Sequence, residues 1–202
     1  MKFTYSWLKK HLDTDVPIAR ITETLTAIGL EVEKVTTPYS TLNQCVVGQI
    51  ISVLPHPNAS KLQICQVDIG SANVQVICGA PNVKVGLKSI FAPPGVTLPG
   101  SGVALTSTVI RGIESHGMLC SEYELRLSSD HTRIIEISHD IEIGTSGVQG
   151  LGLDDDPVIE IGLTPNRSDC TGVHGIARDL AAAGLGRLKP IKRDTIHSIT
   201  EP

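Results

Sequence analysis

The sequence predicts an α+β, multidomain protein in which a small β-barrel is inserted into one discontinuous helical domain. Helical patterns occupy both ends of the 202-residue chain, whereas short β-runs separated by Gly, Pro and Asn fill its middle. Neither end has enough apolar surface to fold well alone, because very small domains are marginal without disulfides or metals. We therefore expect residues 1–39 and 151–190 to form one helical domain, with short strands, and residues 40–150 to form the barrel.

The first end segment predicts two helices and a strand. Ser6 is positioned to cap a short helix, and Asp15 followed by Pro17 marks the start of a second helix that stops at Gly29. Apolar and charged residues then alternate over 30–36, which is typical of a short, half-exposed strand.

The middle region predicts a barrel. Its β-runs follow one another at intervals of roughly 10–15 residues, as in small barrels and sandwiches, and they cover 45–54, 62–68, 74–78, 89–92, 103–110 and 132–137. A sandwich usually needs two larger sheets and often a buried aromatic centre. Region 40–150 contains only Phe91 and Tyr123 as aromatic residues, so we favour the barrel.

The last segment returns to a helical pattern. Residues 157–163 predict a strand, Asp169 is positioned to cap a third helix that runs to Gly184, and no pattern continues from Lys189. Pairing of this strand with the strand at 30–36 would join the two chain ends into one core.

Charge and cysteine content narrow the function classes. The formal net charge is −4, and region 40–150 has 6 basic and 8 acidic residues, so the chain lacks the bulk positive potential that holds nucleic acid by charge alone. The five cysteines are widely spaced and form no Cys-x-x-Cys pair, which argues against a disulfide framework or a zinc site and favours a reducing, cytoplasmic location. We find no apolar run of about 20 residues that could span a bilayer and no targeting segment.

Two turn-rich loops are candidates for anion binding. The loop 56–62, HPNASKL, is either a plain hairpin connection or a ligand-binding loop, since Pro and Asn set a tight turn with His and Lys as donors at its edge. The loop 78–82, CGAPN, is followed by Lys84 and Lys88, which together with backbone N–H groups could meet a phosphate. It lacks the Gly-Lys-Ser/Thr ending of a P-loop, and we expect Cys78 to be a buried thiol rather than a nucleophile.

Two further motifs each allow two interpretations. Residues 111–122 include Ser115, His116, Cys120 and Glu122, which offer the parts of a hydrolase. Such groups normally come from distant segments, so we expect this stretch to cap a short helix and to close the barrel. Arg111 is its one residue suited to a phosphate or a carboxylate. The stretch 163–170, LTPNRSDC, contains ordinary turn and cap residues, with Arg167 as a candidate contact for a partner.

In their order along the chain, six segments resemble the N-terminal part of bacterial phenylalanyl-tRNA synthetase β subunits. They are MKFTYSWLKKHL, IGLEVE, HPNASKL, VICGAPN, IRGIESHGMLCSE and LTPNRSDCTGVHGIARDLAA. The middle region also looks like the tRNA-binding OB-fold module of free-standing tRNA-binding proteins and some other synthetases. The resemblance covers nearly the whole chain, and it departs from the usual Asp, Asn, Gly and Pro at Ser60, His116, Arg126 and Ser168.

The resemblance implies that the chain is a fragment of one subunit of an aminoacyl-tRNA ligase. In that family an OB-fold interrupts a small helical domain, and the α2β2 enzyme joins phenylalanine to tRNA(Phe) with ATP and magnesium. Aminoacylation belongs to the α subunit, which would be a partner, and the editing and magnesium-binding parts of the β subunit lie outside these residues. We then expect no catalytic site, metal or cofactor in the chain itself, and a linker at 191–202 toward the rest of the subunit.

The role implied for the barrel is weak tRNA binding through a few side chains. OB-folds generally stack bases on aromatic side chains beside a positive groove, and this barrel has few of either. We therefore expect phosphate contacts from four cations, with a slope of log K against log salt of about −3 to −4, and hydrogen bonds from neighbouring side chains. The RNA-binding candidates are His56, Asn58, Lys61, Asn82, Lys84, Lys88 and Arg111.

The sequence leaves two other functions open. The chain could be purely a scaffold that packs against other synthetase domains, which its near-neutral charge favours as much as RNA binding. It could also be a free-standing tRNA-binding OB-fold protein, but the helical segments at both ends argue against that function.

Overall fold

The computed structural model describes residues 1–138 and 140–191, which form two units. The split unit combines Met1–Pro38 with the chain from Asp156 onward, and the barrel unit is Tyr39–Asp155. No helix in the described part of the chain is both long and apolar enough to cross a membrane. Of the linker predicted for 191–202, all but Ile191 lies outside the described residues.

The elements are short, and no described helix exceeds ten residues. The strands are β1 (Lys2–Thr4), β2 (Leu12–Asp13), β3 (Val32–Thr36), β4 (Val46–Pro55), β5 (Gln63–Asp68), β6 (Asn73–Cys78), β7 (Lys88–Ala92), β8 (Thr108–Ile110), β9 (Ile113–Ser115), β10 (Met118–Leu119), β11 (Val158–Ile161) and β12 (Arg187–Leu188). The α-helices are α1 (Tyr5–His11), α2 (Ile18–Ala27), α3 (Gly147–Gly150) and α4 (Val173–Ala182), and 3₁₀ turns lie at Leu42–Gln44 and Ser168–Cys170.

Two small sheets join the two chain segments of the split unit. β1, β11 and β3 form an antiparallel sheet in that order, in which Phe3 and Val35 both pair with Ile159. β12 pairs with β2. The predicted pairing between the strand after the second helix and the strand near residue 160 is confirmed. Strands as short as β2 and β12 hold no periodic pattern, so the sequence could not predict them.

Helices α1 and α4 begin at other residues than the sequence predicts. Thr4, not Ser6, caps α1, because the Thr4 hydroxyl accepts a hydrogen bond from a backbone N–H of the first turn at 3.2 Å. Ser6 lies inside α1 and donates to the Asp156 carboxylate at 2.6 Å. α4 begins after Gly172 rather than at Asp169, because arginine side chains engage the Asp169 carboxylate.

The three longer helices of the split unit share one core with its main sheet. α2 ends as predicted at Gly29, whose φ of +86° is a left-handed conformation that glycine adopts without strain. Fully buried apolar side chains come from both chain segments, and they include Leu8, Leu12, Ile21, Leu25, Leu30, Ile159, Ile161, Ile176 and Leu180. Burial of this kind is the main favourable term in folding.

The barrel unit is built on a five-stranded antiparallel sheet in the order β10, β7, β4, β5, β6. The chain at 113–119 bridges the two sheet edges, since it ends in β10 and hydrogen-bonds to β6 on the way. The His116 N–H donates to the Gln75 carbonyl oxygen at 2.9 Å, and the Ile77 N–H donates to Ser115 Oγ at 3.1 Å. The sheet is therefore a nearly closed barrel, and the predicted role of 111–122 in closing it is confirmed. The short helix expected at this stretch is wrong, because its backbone forms the strands β9 and β10 instead.

Two predicted β-runs form little or no strand. Of the run at 103–110 only β8 is a strand, and the run at 132–137 makes a single β-bridge to β7. The side chain of Asn82 takes the place of a strand neighbour, because Nδ2 donates to the Ile134 carbonyl oxygen at 2.9 Å and Oδ1 accepts from the Ile134 N–H at 3.1 Å. Because the N–H and carbonyl oxygen of Ile134 bond to a side chain, they are not available for the backbone hydrogen bonds of a strand pair.

Buried cysteines lie in both apolar clusters of the barrel unit. Burial raises the pKa of Cys45 to about 11, and burial together with the neighbouring Cys78 raises the pKa of Cys65 to about 12. Cys78 is itself buried, and its burial also raises its pKa. The prediction of a buried thiol at Cys78 is confirmed, and such a thiol stays protonated at neutral pH.

Candidate nucleic-acid interface

A tight hairpin presents Arg111 at the surface of the barrel unit. β8 and β9 pair up to Ile110 and Ile113, which leaves Arg111 and Gly112 as the two loop residues. Their φ angles are +48° and +91°, and positive φ at both loop positions defines a type I′ turn, whose twist suits an antiparallel hairpin. The Arg111 side chain is exposed.

The loop 56–62 is folded against this hairpin tip through His56 and Asn58. His56 is buried, its Nε2 lies 3.1 Å from the Ile110 carbonyl oxygen, and its Nδ1 accepts from the Asn58 N–H at 3.1 Å. A carbonyl oxygen only accepts and a backbone N–H only donates, so in this arrangement Nε2 donates to Ile110 and Nδ1 accepts from Asn58. Asn58 Nδ2 also donates to the Arg111 carbonyl oxygen at 3.2 Å.

Lys61 and Arg111 are the exposed cations of this surface. We call the loop 56–62 together with the hairpin tip 110–112 the loop–hairpin face. Neither cation forms an ion pair with any described residue, and the same holds for the exposed Arg126 outside this face, whereas Lys84, Lys88 and Arg133 are paired. Both charges are therefore available to an anion from outside the chain.

The second predicted loop uses its polar groups within the protein. Lys84 pairs with Glu136 at 3.7 Å, and Lys88 donates to the Ile141 carbonyl oxygen at 2.7 Å and lies 3.6 Å from the Asp140 carboxylate. The hydrogen bond from Asn82, aided by the Lys84 charge, lowers the pKa of Glu136. The polar groups of this loop therefore make hydrogen bonds and ion pairs within the protein, and they do not form an open phosphate-binding loop.

The predicted candidates thus fall into two groups. The structure brings His56, Asn58 and Arg111 together, and Lys61 lies in the same loop as the first two. The other three candidates lie elsewhere and contact the chain at 134–141 instead. They are Asn82, Lys84 and Lys88.

The hydrolase interpretation of 111–122 finds no support in its contacts. Ser115 is buried, accepts from the Ile77 N–H and donates to the Gly117 carbonyl oxygen at 3.3 Å. The His116 ring contacts Ser107 and Glu114 instead of Ser115. A nucleophile must meet its base, and this serine instead holds the barrel closed.

Arg167, the partner-contact candidate of the split unit, pairs within that unit. It forms ion pairs with Asp169 and Asp179, and Arg178 pairs with the same two carboxylates. Hydrogen bonds from Arg167 and then Arg178 hold the pKa of Asp169 well below its usual range. Asp169, Cys170 and Asp179 lie close enough to share a metal ion, but the two arginines already satisfy both carboxylates, so the cluster is a structural tie.

Sequence reasoning missed one polar cluster of the barrel unit. Glu124, His131 and Arg133 line a small cavity, and they come from a stretch with no recognisable motif. The one available signal was Tyr123, an exposed aromatic side chain next to His131 in a region with almost no aromatic residues.

A nearly closed five-stranded antiparallel barrel, with a loop and a hairpin tip that present cations, fits an OB-like module of the class that binds nucleic acids. The family model described as "Putative tRNA binding domain" matches residues 45–146. That match covers half of the sequence, and the chain belongs to this family.

Similar proteins confirm the resemblance drawn from the motifs. The chain is 52% identical over 196 residues to the phenylalanine–tRNA ligase beta subunit of Nitrobacter winogradskyi, covering 94% of this chain and 24% of that protein. It is 56% identical over 192 residues to the subunit of the same name from Bartonella henselae, covering 95% and 24%. The chain thus spans about a quarter of the length of these relatives.

Among solved structures, one distant likeness is to a protein of archaeal origin. A MetRS related protein from Pyrococcus horikoshii is 20% identical with a TM-score of 0.37, covering 51% of this chain and 87% of that chain. A likeness of that size carries no argument about the fold.

Proposed function

We propose that this chain is the tRNA-contacting, N-terminal module of a phenylalanine–tRNA ligase β subunit. The observation that carries the proposal is the match of the barrel unit to the tRNA-binding family, within a chain about half identical to those β subunits along nearly its whole length. In this arrangement the barrel unit is a domain inserted into the split unit, whose two segments share sheets and a core.

The loop–hairpin face is the part of the module that meets RNA. Lys61 and Arg111 contact phosphates, because both are exposed and neither pairs with a described carboxylate. His56 and Asn58 act on the protein side by holding the loop against the hairpin tip. A face held in place before binding loses less conformational entropy when it binds.

Internal ion pairs reduce the number of phosphate contacts below the four expected from the sequence. Lys84 and Lys88 are paired with Glu136 and Asp140, so a phosphate would have to compete with these carboxylates for them. Two contacts give a slope of log K against log salt of about −1.4 for single-stranded RNA and about −1.8 for duplex. Binding through this face is then weak and moderately sensitive to salt.

The wider assembly follows from the same relatives. The whole enzyme would pair this β subunit with an α subunit, bind tRNA(Phe) in the cytoplasm and use ATP and magnesium to attach phenylalanine. The module described here would contribute position rather than chemistry, since its buried thiols are protonated and the side chains of Ser115 and His56 hold the fold together.

A scaffold function is the second candidate. The observation that favours it is the same pairing of Lys84 and Lys88, which leaves Lys61, Arg111 and Arg126 as the unpaired cations among the described residues of the barrel unit. A scaffold would pack against other protein domains and show no saturable affinity for RNA.

Titration of labelled tRNA(Phe) with the 202-residue chain separates the two functions. Between about 50 mM and about 200 mM salt, two phosphate contacts should weaken binding about 7- to 12-fold. A chain carrying Lys61→Ala and Arg111→Ala should bind much more weakly and lose most of that salt dependence.

Lys84→Ala is the matched control, because Lys84 is also exposed but is paired with Glu136. This variant should bind tRNA like the parent chain. Absence of saturable binding at the lower salt would favour the scaffold, and unchanged binding by the double variant would place the RNA elsewhere than on the loop–hairpin face.

A further inference from the structure

A cavity of about 200 Å³ in the barrel unit shares no lining residue with the loop–hairpin face, although Gly79 in its lining lies beside Leu62 of that face. Its lining includes the buried side chains of Leu119 and Ile134 and the chain at Cys78–Ala80. It is smaller than the roughly 300–1,000 Å³ of sites for drug-sized ligands. A cavity of this size, lined by both polar and apolar groups, suits one flat ring system that carries hydrogen-bonding groups.

The exposed ring of His131 lines this cavity and is held in place by two neighbours. Its Nδ1 lies 3.4 Å from the Ser129 carbonyl oxygen and donates to it. The Tyr123 ring meets it edge to face, with centroids 6.2 Å apart and an interplanar angle of 71°. Tyr123 is itself 41% exposed, so an aromatic pair borders the cavity.

Asp130 organises the loop that carries this ring. Its carboxylate accepts from the Thr132 N–H at 2.9 Å, from the Thr132 hydroxyl at 2.6 Å and from Arg133 Nε at 3.3 Å. Its carbonyl oxygen accepts from the Tyr123 N–H at 3.0 Å. The guanidinium of Arg133, which also lines the cavity, is therefore fixed in the same loop as His131.

Glu124 adds a hydrogen-bond acceptor to the lining. Its Oε2 accepts from both the backbone N–H and the hydroxyl of Ser121. Its Oε1 has no hydrogen-bond partner among the described residues. A carboxylate oxygen accepts well from the exocyclic amino group of a nucleobase, whereas a base that offers only a carbonyl oxygen at that position would be repelled.

We propose that this cavity binds an unpaired, amino-bearing nucleobase of RNA, stacked on His131 and Arg133, with Glu124 accepting from the amino group. Stacking on aromatic and guanidinium planes is a general way in which proteins hold unpaired bases. The assignment deepens the RNA-binding function proposed above, but it uses none of the loop–hairpin residues. The barrel unit would then hold a base in the cavity and meet phosphates through neighbouring residues that the cavity does not use.

Titration with nucleosides tests the cavity separately, because a nucleoside carries no phosphate for Lys61 or Arg111 to bind. Adenosine added to the ¹⁵N-labelled 202-residue chain should give saturable amide shifts at 77–80 and 118–134, with a Kd of about 1 mM. Inosine, which has a carbonyl oxygen in place of the amino group, should bind about tenfold more weakly.

Variants then assign the binding. His131→Ala should weaken adenosine binding about tenfold or more, and His131→Phe, which keeps a flat ring, should restore it. Trp7→Ser is the matched control, because Trp7 is an aromatic residue of similar exposure, 45%, in the split unit. Its adenosine affinity should equal that of the parent.

Absence of saturable shifts with adenosine, or equal adenosine affinity of the parent and His131→Ala chains, would overturn the assignment. Equal affinity for adenosine and inosine would overturn the amino-group preference. A chain that binds tRNA but no nucleoside would retain the proposed function and lose the cavity. A chain that binds adenosine at these residues but no tRNA would do the reverse.

Discussion

Individual side chains of the loop–hairpin face differ in role because the fold has already used some of them. His56 and Lys61 lie in one loop, and the sequence predicts an RNA contact for both. The structure buries His56 and gives both ring nitrogens partners inside the protein, whereas Lys61 stays exposed and pairs with no described carboxylate. The chemistry of a side chain is visible in the sequence, but its hydrogen-bond partners are not.

Ser89 in β7 allows a test of what an unpaired buried group costs. It is fully buried, and its hydroxyl has no hydrogen-bond partner among the described residues. Leaving a buried hydroxyl unpaired costs about 1–3 kcal/mol. Ser89→Ala should therefore raise the free energy of unfolding by about 1 kcal/mol, measured from the urea midpoint at constant slope.

Ser115→Ala is the matched comparison, since the Ser115 hydroxyl accepts from Ile77 and donates to Gly117. Its loss should lower the free energy of unfolding by about 1–3 kcal/mol. A Ser89→Ala chain that proves less stable than the parent would contradict the prediction for Ser89.

The sequence predicts a secondary-structure element where the element is long enough to show a periodic pattern of apolar residues. β4 to β7 begin and end within one residue of the runs predicted for them. β9 and β10 contain three and two residues and were missed. The run at 132–137 has a strand-like pattern, yet its backbone hydrogen bonds go partly to the side chain of Asn82, which no local pattern shows.

Asn82→Ala tests whether the Asn82 side chain stabilises the chain at 134 in the way that a neighbouring strand would. The change removes the hydrogen bonds to the Ile134 N–H and carbonyl oxygen and to Glu136, and Ile134 is buried. We expect the free energy of unfolding to fall by about 2–3 kcal/mol, with faster hydrogen exchange of the Ile134 amide. Lys84→Ala, which removes only an exposed ion pair to the same Glu136, should change stability by less than about 1 kcal/mol.

The whole molecule is expected to lose stability in acid. Hydrogen bonds and ion pairs lower the pKa of carboxyls in both units, namely Asp130, Glu136, Asp156, Asp169 and Asp179. A carboxyl whose pKa is lower in the folded state stabilises the fold above its unfolded pKa and loses that contribution as the pH falls through its folded pKa. Urea midpoints should therefore be steady near neutral pH and fall progressively below about pH 4.5.

The arginine–aspartate cluster of the split unit provides a control for this acid dependence. Asp169→Asn removes a carboxyl that Arg167 and Arg178 both hold. The variant should be less stable than the parent at pH 7 and should lose less stability on acidification. Equal midpoints of the parent chain at pH 7 and at about pH 3 would contradict the expectation.

The sequence alone determined the class of fold, the longer strands, the helical ends and the family, because these depend on local periodicity and on motifs of neighbouring residues. Only the tertiary structure decided which candidates are free to act. Asn82 meets Ile134 across 52 residues, and His56 meets Ile110 across 54. Such partners come together only when the barrel closes. The sequence therefore could not show which cations are paired and which are available, and it could not show the cavity beside His131.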